Sequence, residues 1–429
     1  MSDAGVVGPF PVNDAPAAGR SSVYSMAVEH LGDRIAKLRR LADLTQEGLA
    51  ERSGVSVDVI RKLEQHRKHG ARLPTLHALA KGLGVELTGL LGDPPGVPSS
   101  GDVDPPQLVA VRRAILPPLF APPPEPSAAE PLSLPLLRAE LAAGWTLYHA
   151  AEFGRVMEQL PGIIDDARLL AAVGGPGQRA AGQAALGKAL QLSGHLALRL
   201  GKSDLALAAL ERAIEAARQS SDPLLAPMIS GSVAWAYQRQ NRLSDAKHVA
   251  VYAGDEVERS HAQTAEGVRV WGGLLMSAAT SYARSDDYDT ADEMMRTAET
   301  AAKRLARLPA PVDGKLLSVF STSSVRIERV RLAAQHERPA EALDIARGMR
   351  LNAHVPLSWR SWLLLDVARA YTDVGDAAGA VRTLQTLHRV APAWLRHHTL
   401  AVSIVSDLWT GPNRPPGLRK LAVFLGVAD

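Results

Sequence analysis

The 429-residue chain contains no cysteine, which excludes disulfides, thiolate metal ligands and thiol catalysis. Aromatic residues make up only 4% of the chain, and no apolar run approaches the roughly 20 residues that span a bilayer. Residues 1–28 lack the charged start and apolar block of a secretory signal, so they are predicted to be a disordered tail. These absences favour a cytoplasmic protein without membrane contact.

The composition is ordinary for a globular protein, with 46% hydrophobic and 22% charged residues. A chain of this length is too long to fold around one compact core, so two or more domains are expected. Residues 93–136 hold 13 of the 29 prolines and are predicted to be a linker, although LVAVRRAIL (108–116) has helical spacing. Elsewhere the apolar spacing is helical, and alternating β-branched runs are scarce. The predicted fold is therefore all-α, with a small unit at 29–92 and a long helical region at 137–429.

Positive charge is concentrated in the small unit. The whole chain carries +3, and residues 31–91 carry +4, from 11 Lys and Arg against 7 Asp and Glu, which leaves 3 − 4 = −1 for the rest. RKLEQHRKHGAR (61–72) has five basic residues and one acid. A basic run is usually a solvated face, but its place beside two short helices favours contact with phosphates.

A series of short motifs defines the small unit. They are T-Q-E-x-L-A (45–50), G-V-S (54–56), I-x-x-L-E (60–64) and L-x-x-L-A (76–80) after Pro74. Thr45 and Ser56 are predicted helix N-caps, and Gly54 can end the second helix in a left-handed conformation. The first helix is expected to bury Ile35, Leu38 and Leu41 on one face, and the fifth to lie at 86–91.

These motifs resemble the Cro/C1-type (XRE family) helix-turn-helix domain, a five-helix fold. The resemblance implies that the third helix enters the DNA major groove, with Val57, Asp58 and Lys62 near base edges. Valine and aspartate are poor donors to bases, and aspartate repels phosphates. Arg39 and Glu64 are expected to form an internal ion pair. The residues predicted to contact DNA are Gln46, Ser56, Val57, Asp58, Arg61, Lys62, Arg67 and Lys68. Because one such unit reads only a half-site of double-stranded operator DNA, a homodimer is expected.

A repeated spacing runs through the long helical region. Residues at offsets 0, 4, 9 and 16 recur from Ala197, Tyr237, Tyr282 and Tyr371, with a turn residue at offset 4 and mostly alanine at 9 and 16. This resembles the tetratricopeptide repeat, in which small residues let paired helices approach closely. Turns are predicted at 201, 241, 286, 336 and 375. Their separations of 39 to 50 residues exceed the ideal period of roughly 34. The alternative is a helical domain without true repeats.

The repeat resemblance implies an α-solenoid whose first helices line a concave face. Aromatic rings and guanidinium groups there could hold a peptide or an acidic small molecule, although plain helix packing is an alternative role for each residue. The predicted ligand-binding residues are His195, Trp235, Arg239, Thr280, Glu328, Arg331, Trp362 and Arg369.

No enzyme motif stands out. GGPGQRA (174–180) lacks the Gly-Lys-Ser/Thr ending of a phosphate-binding loop and is predicted to be a plain loop. No cofactor or metal site is predicted, and the chain is expected not to be an enzyme. The two resemblances together are typical of bacterial quorum-sensing regulators. They imply a transcriptional regulator whose repeats mediate dimerisation and sense a peptide or small molecule. The alternative is a protein-interaction scaffold tethered to DNA.

Overall fold

The structure is a computed structural model, and it describes residues 31–67, 71, 73–85, 89–90, 104–122, 133–261, 263–308, 319–349, 355–396, 398–412 and 414–428. The predicted tail at 1–28 lies outside these residues. The described residues form helices and no strand, which confirms the all-α prediction.

The N-terminal unit contains α1 (Leu31–Leu41), α2 (Gln46–Ser53), α3 (Val57–Glu64) and α4 (Leu73–Leu83). Of the predicted fifth helix only Gly89 and Leu90 are described, and both are helical. One core, including Ile35, Leu49 and Ile60, joins the four helices. The expectation that Leu41 shares the buried face is wrong: it is 74% exposed, because α1 ends there and the chain turns away at Asp43 with φ of 52°.

In the described residues six helical hairpins follow, each with a first helix A and a second helix B. The A helices are α6 (Leu134–His149), α8 (Pro176–Arg199), α10 (Leu225–Arg239), α12 (Ala265–Arg284), α14 (Thr322–Gln335) and α16 (Leu357–Asp373). The B helices are α7 (Phe153–Val173), α9 (Ser203–Arg218), α11 (Leu243–His261), α13 (Tyr288–Leu305), α15 (Pro339–Ala346) and α17 (Ala377–Val390). Residues 176–180, predicted as a loop, form the first turn of α8 instead, because Pro176 suits the start of a helix.

Each A helix ends in the same left-handed turn. The turn residues have φ between 57° and 82°, and they are Ala151, Gly201, Asn241, Asp286, Glu337 and Gly375. In every case the next backbone N–H donates to the carbonyl five residues earlier, as in Lys202 to Ala197 (2.9 Å) and Asp287 to Tyr282 (3.0 Å). This is the Schellman bond that satisfies a helix C-terminus. The predicted turns are confirmed at 201, 241, 286 and 375, and the fifth lies at 337 rather than 336.

The small residues at offsets 9 and 16 lie where helices A and B touch. Ala206, Ala246 and Ala380 at offset 9 are fully buried, and so is Ala213 at offset 16. At Gly194 an added Cβ would lie 2.7 Å from Leu210 Cγ, so these two helices cannot accept a larger residue there. The spacing therefore combines a helix-ending turn with close packing of two helices.

The repeats curve until the first and sixth hairpins meet. Three further helices, α18 (Pro392–Arg396), α19 (Thr399–Thr410) and α20 (Leu418–Phe424), cover the sixth hairpin. Ala151 and Phe153 of the first hairpin pack into the same apolar cluster as these helices. His149 Nδ1 also lies 2.7 Å from Ser358 Oγ, which joins the first A helix to the last.

The predicted linker contains a folded element. Helix α5 (Pro106–Ile115) buries Leu108, Val111 and Ile115 against the first two hairpins. Asp104 anchors its start, since it accepts from Lys202 Nζ at 2.8 Å and from Arg112 Nη2 at 2.6 Å. The island of helical spacing in the proline-rich stretch thus packs on the repeat region.

The N-terminal unit rests on the rim of the repeats through the end of α4. Lys81 Nζ lies 3.0 Å from Asp286 Oδ2, and a Cβ added at Gly84 would lie 3.5 Å from Asn241 Nδ2. Asn241 and Asp286 are the turn residues of the third and fourth hairpins. Helix α3 takes no part in these contacts.

Candidate nucleic-acid interface and inner face of the repeats

The local structure around α2 and α3 follows from their caps. Thr45 adopts an extended conformation, and its Oγ1 accepts from Gly48 N–H at 2.9 Å. Gly54 ends α2 with φ of 69°, which a β-carbon would disfavour. Ser56 occupies the N-cap of α3, but its side chain makes no capping hydrogen bond. The predicted N-cap position of Ser56 is therefore confirmed, but without the side-chain hydrogen bond that a serine cap usually makes.

A charged network fixes α3 against α1 and α2. The Arg39 guanidinium donates to both Glu64 carboxylate oxygens, at 2.8 and 2.9 Å, and Gln46 Nε2 donates to the same carboxylate at 2.8 Å. Burial alone would raise the pKa of Glu64, but the hydrogen bonds from Arg39 and Gln46 outweigh it and hold that pKa below its usual value. The predicted Arg39–Glu64 pair is confirmed. Gln46 is engaged by Glu64, and its contact with phosphate stays a prediction.

The outward face of α3 carries Asp58, Arg61 and Lys62, all exposed, with Val57 half-buried beside them. Lys62 Nζ pairs with Asp58 Oδ2 at 2.6 Å, and Arg61 lies 3.8 Å from Glu47. Acidic neighbours therefore offset both basic side chains. The buried side of α3, with Ile60 and Leu63, joins the core, so the charged side faces away from the domain.

The basic segment after α3 is only partly described. Arg67 is exposed, and His66 before it lies 3.0 Å from Asp33 Oδ1. Lys68 lies outside the described residues, so the structure gives no position for this predicted phosphate contact.

Five of the eight predicted ligand-binding residues share one register on the A helices. His195, Trp235, Thr280, Arg331 and Arg369 each stand two residues before the carbonyl acceptor of their Schellman turn. Since the hairpins stack in parallel, one register position in successive A helices forms one continuous surface. We call this surface, together with the side chains that contact it, the inner face.

The structure brings most of these residues together. The His195 and Trp235 rings lie 5.0 Å apart. Thr280 Oγ1 donates to Glu328 at 2.8 Å, and Glu328 pairs with Arg331 at 3.2 Å. The Arg331 guanidinium in turn lies 4.8 Å from the centre of the Trp362 ring.

The other two predicted residues, Arg369 and Arg239, are not part of these contacts. Arg369 is 4% exposed and faces Asp373, with Arg369 Nε 3.6 Å from Asp373 Oδ2. Arg239 is half-buried and acts on the inner face through its charge, which helps to lower the pKa of His398.

The inner-face ionisable groups have shifted pKa values because they are removed from water. Burial, with the nearby charge of Arg199, lowers the pKa of His195 to about 3 and that of His149 to about 4. Burial also raises the pKa of Asp366 to about 6, against the opposing charges of Arg331 and Arg369. At neutral pH the two histidines are therefore uncharged, and Arg199 is the cation that acts on both of them.

Sequence reasoning missed several inner-face residues. They are Trp145, Tyr148, His149, Arg199, Asp366 and His398. Arg199 stands two residues after its turn acceptor, in the same register as Arg239, so extending the repeat alignment finds it. His398 has no such signal, since it comes from the helices that follow the sixth hairpin.

The described part of the chain offers neither a metal site nor a membrane span. No group of three or more His, Asp or Glu side chains there could hold a metal ion. Likewise, none of the helices in those ranges is both long and apolar enough to cross a bilayer.

Comparison with known proteins identifies the N-terminal unit. A family model described as a helix-turn-helix domain matches residues 30–90. No curated protein matches the chain.

Three solved structures resemble the chain at low identity. The Rap protein complexed with competence and sporulation factor is 11% identical, covers 69% of this chain and 87% of its own, and has a TM-score of 0.42. Bacillus thuringiensis PlcR, in complex with the peptide PapR7 and DNA, is 12% identical over 86% of this chain and 99% of its own, with a TM-score of 0.37. BtubC from P. vanneervenii is 15% identical over 65% and 95%, with a TM-score of 0.34.

Proposed function

We propose that the chain is a transcriptional regulator that docks α3 in the major groove of operator DNA as a homodimer. Its helical repeats carry an effector site on the inner face, for a peptide or a small molecule. The observation that carries the proposal is the helix-turn-helix match at 30–90 together with an α3 whose charged side faces outward. A helix that projects in this way fits the major groove of B-DNA.

The way the charges are arranged supports docking through α3. The bidentate Arg39–Glu64 pair locks the helix in place, while Arg61 and Lys62 remain on the surface. The internal pair would fix the orientation of α3, and the exposed cations would contact phosphates. Contacts with base edges would then add sequence specificity.

The inner face supports effector binding because it combines aromatic rings with polar groups that converge. Trp235 and Trp362 are only partly buried, so a ligand can reach this surface. An effector shifts DNA affinity only if it binds one arrangement of the repeats more tightly than another. The contact of α4 with the rim, through Lys81 and Asp286, is the connection by which such a change reaches the DNA-binding unit.

The experiment for DNA docking measures binding of full-length protein to duplex DNA across a series of salt concentrations. The R61A/K62A variant should bind more weakly, and its dependence on salt should flatten by about two counterions if both side chains contact phosphates. The R212A/R218A variant is the matched control, because it loses the same charge from exposed positions on α9. Equal affinities and salt slopes for wild type and R61A/K62A would exclude α3 as the docking element.

The experiment for effector sensing repeats the titration with fractions of cell extract and of culture medium. A fraction that alters DNA affinity supports the sensor. If no fraction alters DNA affinity, and the immobilised protein binds a partner protein both with and without such fractions, the repeats are a constitutive protein-interaction scaffold.

A further inference from the structure

Arg199 lies at the point where distant parts of the repeat region meet. Its guanidinium is 5.3 Å from the centre of the Trp235 ring and 5.5 Å from that of Trp362. Arg199 Nε donates to Tyr148 Oη at 3.2 Å. The first, second, third and sixth hairpins therefore contribute to its surroundings. Two indole rings and one phenol hold the guanidinium in place.

This guanidinium has no counterion within the described ranges. No carboxylate there pairs with Arg199, whereas Arg331 has both Glu328 and Asp366, and Arg369 has Asp373. Aromatic faces attract a cation, but they do not neutralise it. A half-buried charge without an opposite charge is unfavourable and gains from an anion that can reach it.

The neighbouring histidines do not change this preference, because they are uncharged at neutral pH. Burial lowers the pKa of His398 well below its usual value, and the charges of Arg199, Arg239 and Arg331 lower it further. His149 and His195, which also feel the charge of Arg199, have pKa values of about 4 and 3. The histidines therefore leave the positive potential to the arginines.

Two buried ring nitrogens in the same aromatic cluster lack a hydrogen-bond partner in the described structure. They are Trp145 Nε1 and His398 Nδ1, in residues that are 8% and 6% exposed. Trp145 contacts His195, which contacts Trp235, and His398 contacts Trp362, so both belong to the ring system around Arg199. An indole N–H can only donate, and buried donors normally have an acceptor.

We propose that Arg199 is the anchor of an oxyanion subsite, which takes the carboxylate of an organic effector whose apolar body lies against Trp235 and Trp362. The planar fork of a guanidinium matches a carboxylate through two parallel N–H donors. The flat indole rings favour an aromatic or aliphatic group attached to that carboxylate. The subsite gives the chemical class of ligand for the inner face, so it rests on the effector-sensing part of the proposed function.

The first test uses tryptophan fluorescence of the full-length chain without DNA. Iodide is an anionic quencher and caesium a cationic one, and both are compared at constant ionic strength. A unit charge about 5 Å away in water enriches an anion by roughly three- to fourfold. The chain has seven tryptophans, so the quenching of Trp235 and Trp362 is taken as the part that a W235F/W362F substitution removes. For iodide this part should fall by about that factor in R199Q, while caesium quenching stays the same or rises. The control R212Q removes an exposed arginine of α9 and should change neither.

The second test uses benzoate and benzamide, which share a ring and differ in charge. Benzoate should raise the melting temperature of the wild type, and benzamide should not. The R199Q variant should lose the benzoate response, whereas R199K should keep the iodide response but bind benzoate more weakly, because ammonium lacks the planar fork. Inorganic phosphate is included as a second oxyanion.

Two outcomes of these tests would overturn the proposal. Equal effects of benzoate and benzamide on the wild type would overturn the proposal, even if R199Q did not fold. Stabilisation by phosphate alone would also overturn it, because the carboxylate class would be wrong. Neither result depends on DNA, so a failure here leaves the docking of α3 untouched, and a failure of DNA binding leaves this subsite intact.

Discussion

If α3 docks on DNA as proposed, Asp58 should oppose that contact, and its removal should strengthen binding. Its carboxylate lies 2.6 Å from Lys62 Nζ, and both side chains are more than half exposed. To contact a phosphate, Lys62 must give up this pair, which is worth about 0.2–1 kcal/mol for an exposed pair. We expect D58N to bind non-specific duplex DNA about 1.4- to 5-fold more tightly at low salt, because Lys62 no longer gives up that pair.

The salt dependence gives a second, independent number. If Asp58 keeps Lys62 away from the phosphates in the wild type, the slope of log K against log salt should steepen by about 0.9 in D58N. Between 50 and 200 mM salt that slope corresponds to an additional loss of affinity of about 3.5-fold. Fluorescence anisotropy with a labelled duplex of random sequence measures both quantities without knowledge of the operator.

Glu152→Gln is the matched control for D58N. Glu152 forms a comparable exposed pair with Arg155, at 2.7 Å, in the first hairpin, far along the chain from α3. It changes the net charge by the same amount and should leave DNA binding unaltered. If D58N and E152Q give the same affinity and slope as the wild type, Lys62 does not face DNA and the assigned docking surface is wrong.

Further predictions concern the framework that holds both sites. E64A should lower the free energy of unfolding by about 2–3 kcal/mol in denaturant titrations, because it leaves Arg39 without its partner and the Arg39 side chain is only 13% exposed. A loss below about 0.5 kcal/mol would mean that the pair does not stabilise the fold. Because the folded-state pKa of Glu64 is depressed, its stabilisation is complete above the unfolded value near 4.3 and disappears as pH falls through the folded pKa. Melting curves between pH 6 and 3 should therefore converge for wild type and E64Q. A246L should destabilise the third hairpin by about 1–3 kcal/mol, because Ala246 is fully buried between helices, and an unchanged melting temperature would contradict the packing role of offset 9. G201A should cost about 1 kcal/mol at a φ of 70°, whereas N241G at a similar turn should be neutral or stabilising; the reverse order would refute the left-handed turn as the reason for the spacing.

Local features were predictable because they arise from nearby residues. The cap at Thr45, the turn at Gly54 and the turns at 201, 241, 286 and 375 depend on backbone conformation within a few positions. The same holds for the buried alanines of the repeat, whose periodicity the sequence shows directly. Where local cues were ambiguous, the detail of an interaction could not be predicted. Ser56 lies at the N-cap of α3, for example, but its side chain makes no capping hydrogen bond.

The closure of the repeats was not predictable, because it depends on the summed curvature of six hairpins. Nothing near His149 in the sequence indicates Ser358, 209 residues away, and nothing near Arg199 indicates Trp362. Most of the predicted inner-face residues were placed correctly on the A helices by register alone. Their partners, above all Tyr148 and His398, became visible only once distant helices were brought together.

The most direct test of the central claim maps the DNA bound by the protein in the cells that make it, for the wild type, R61A/K62A and R212A/R218A. If α3 reads DNA, the wild type and R212A/R218A should occupy the same discrete genomic sites, and R61A/K62A should lose them. Genes beside those sites would then identify the pathway under control. Occupancy of the same sites by all three proteins, or of none by the wild type, would contradict the assignment of this chain as a regulator that binds DNA through α3.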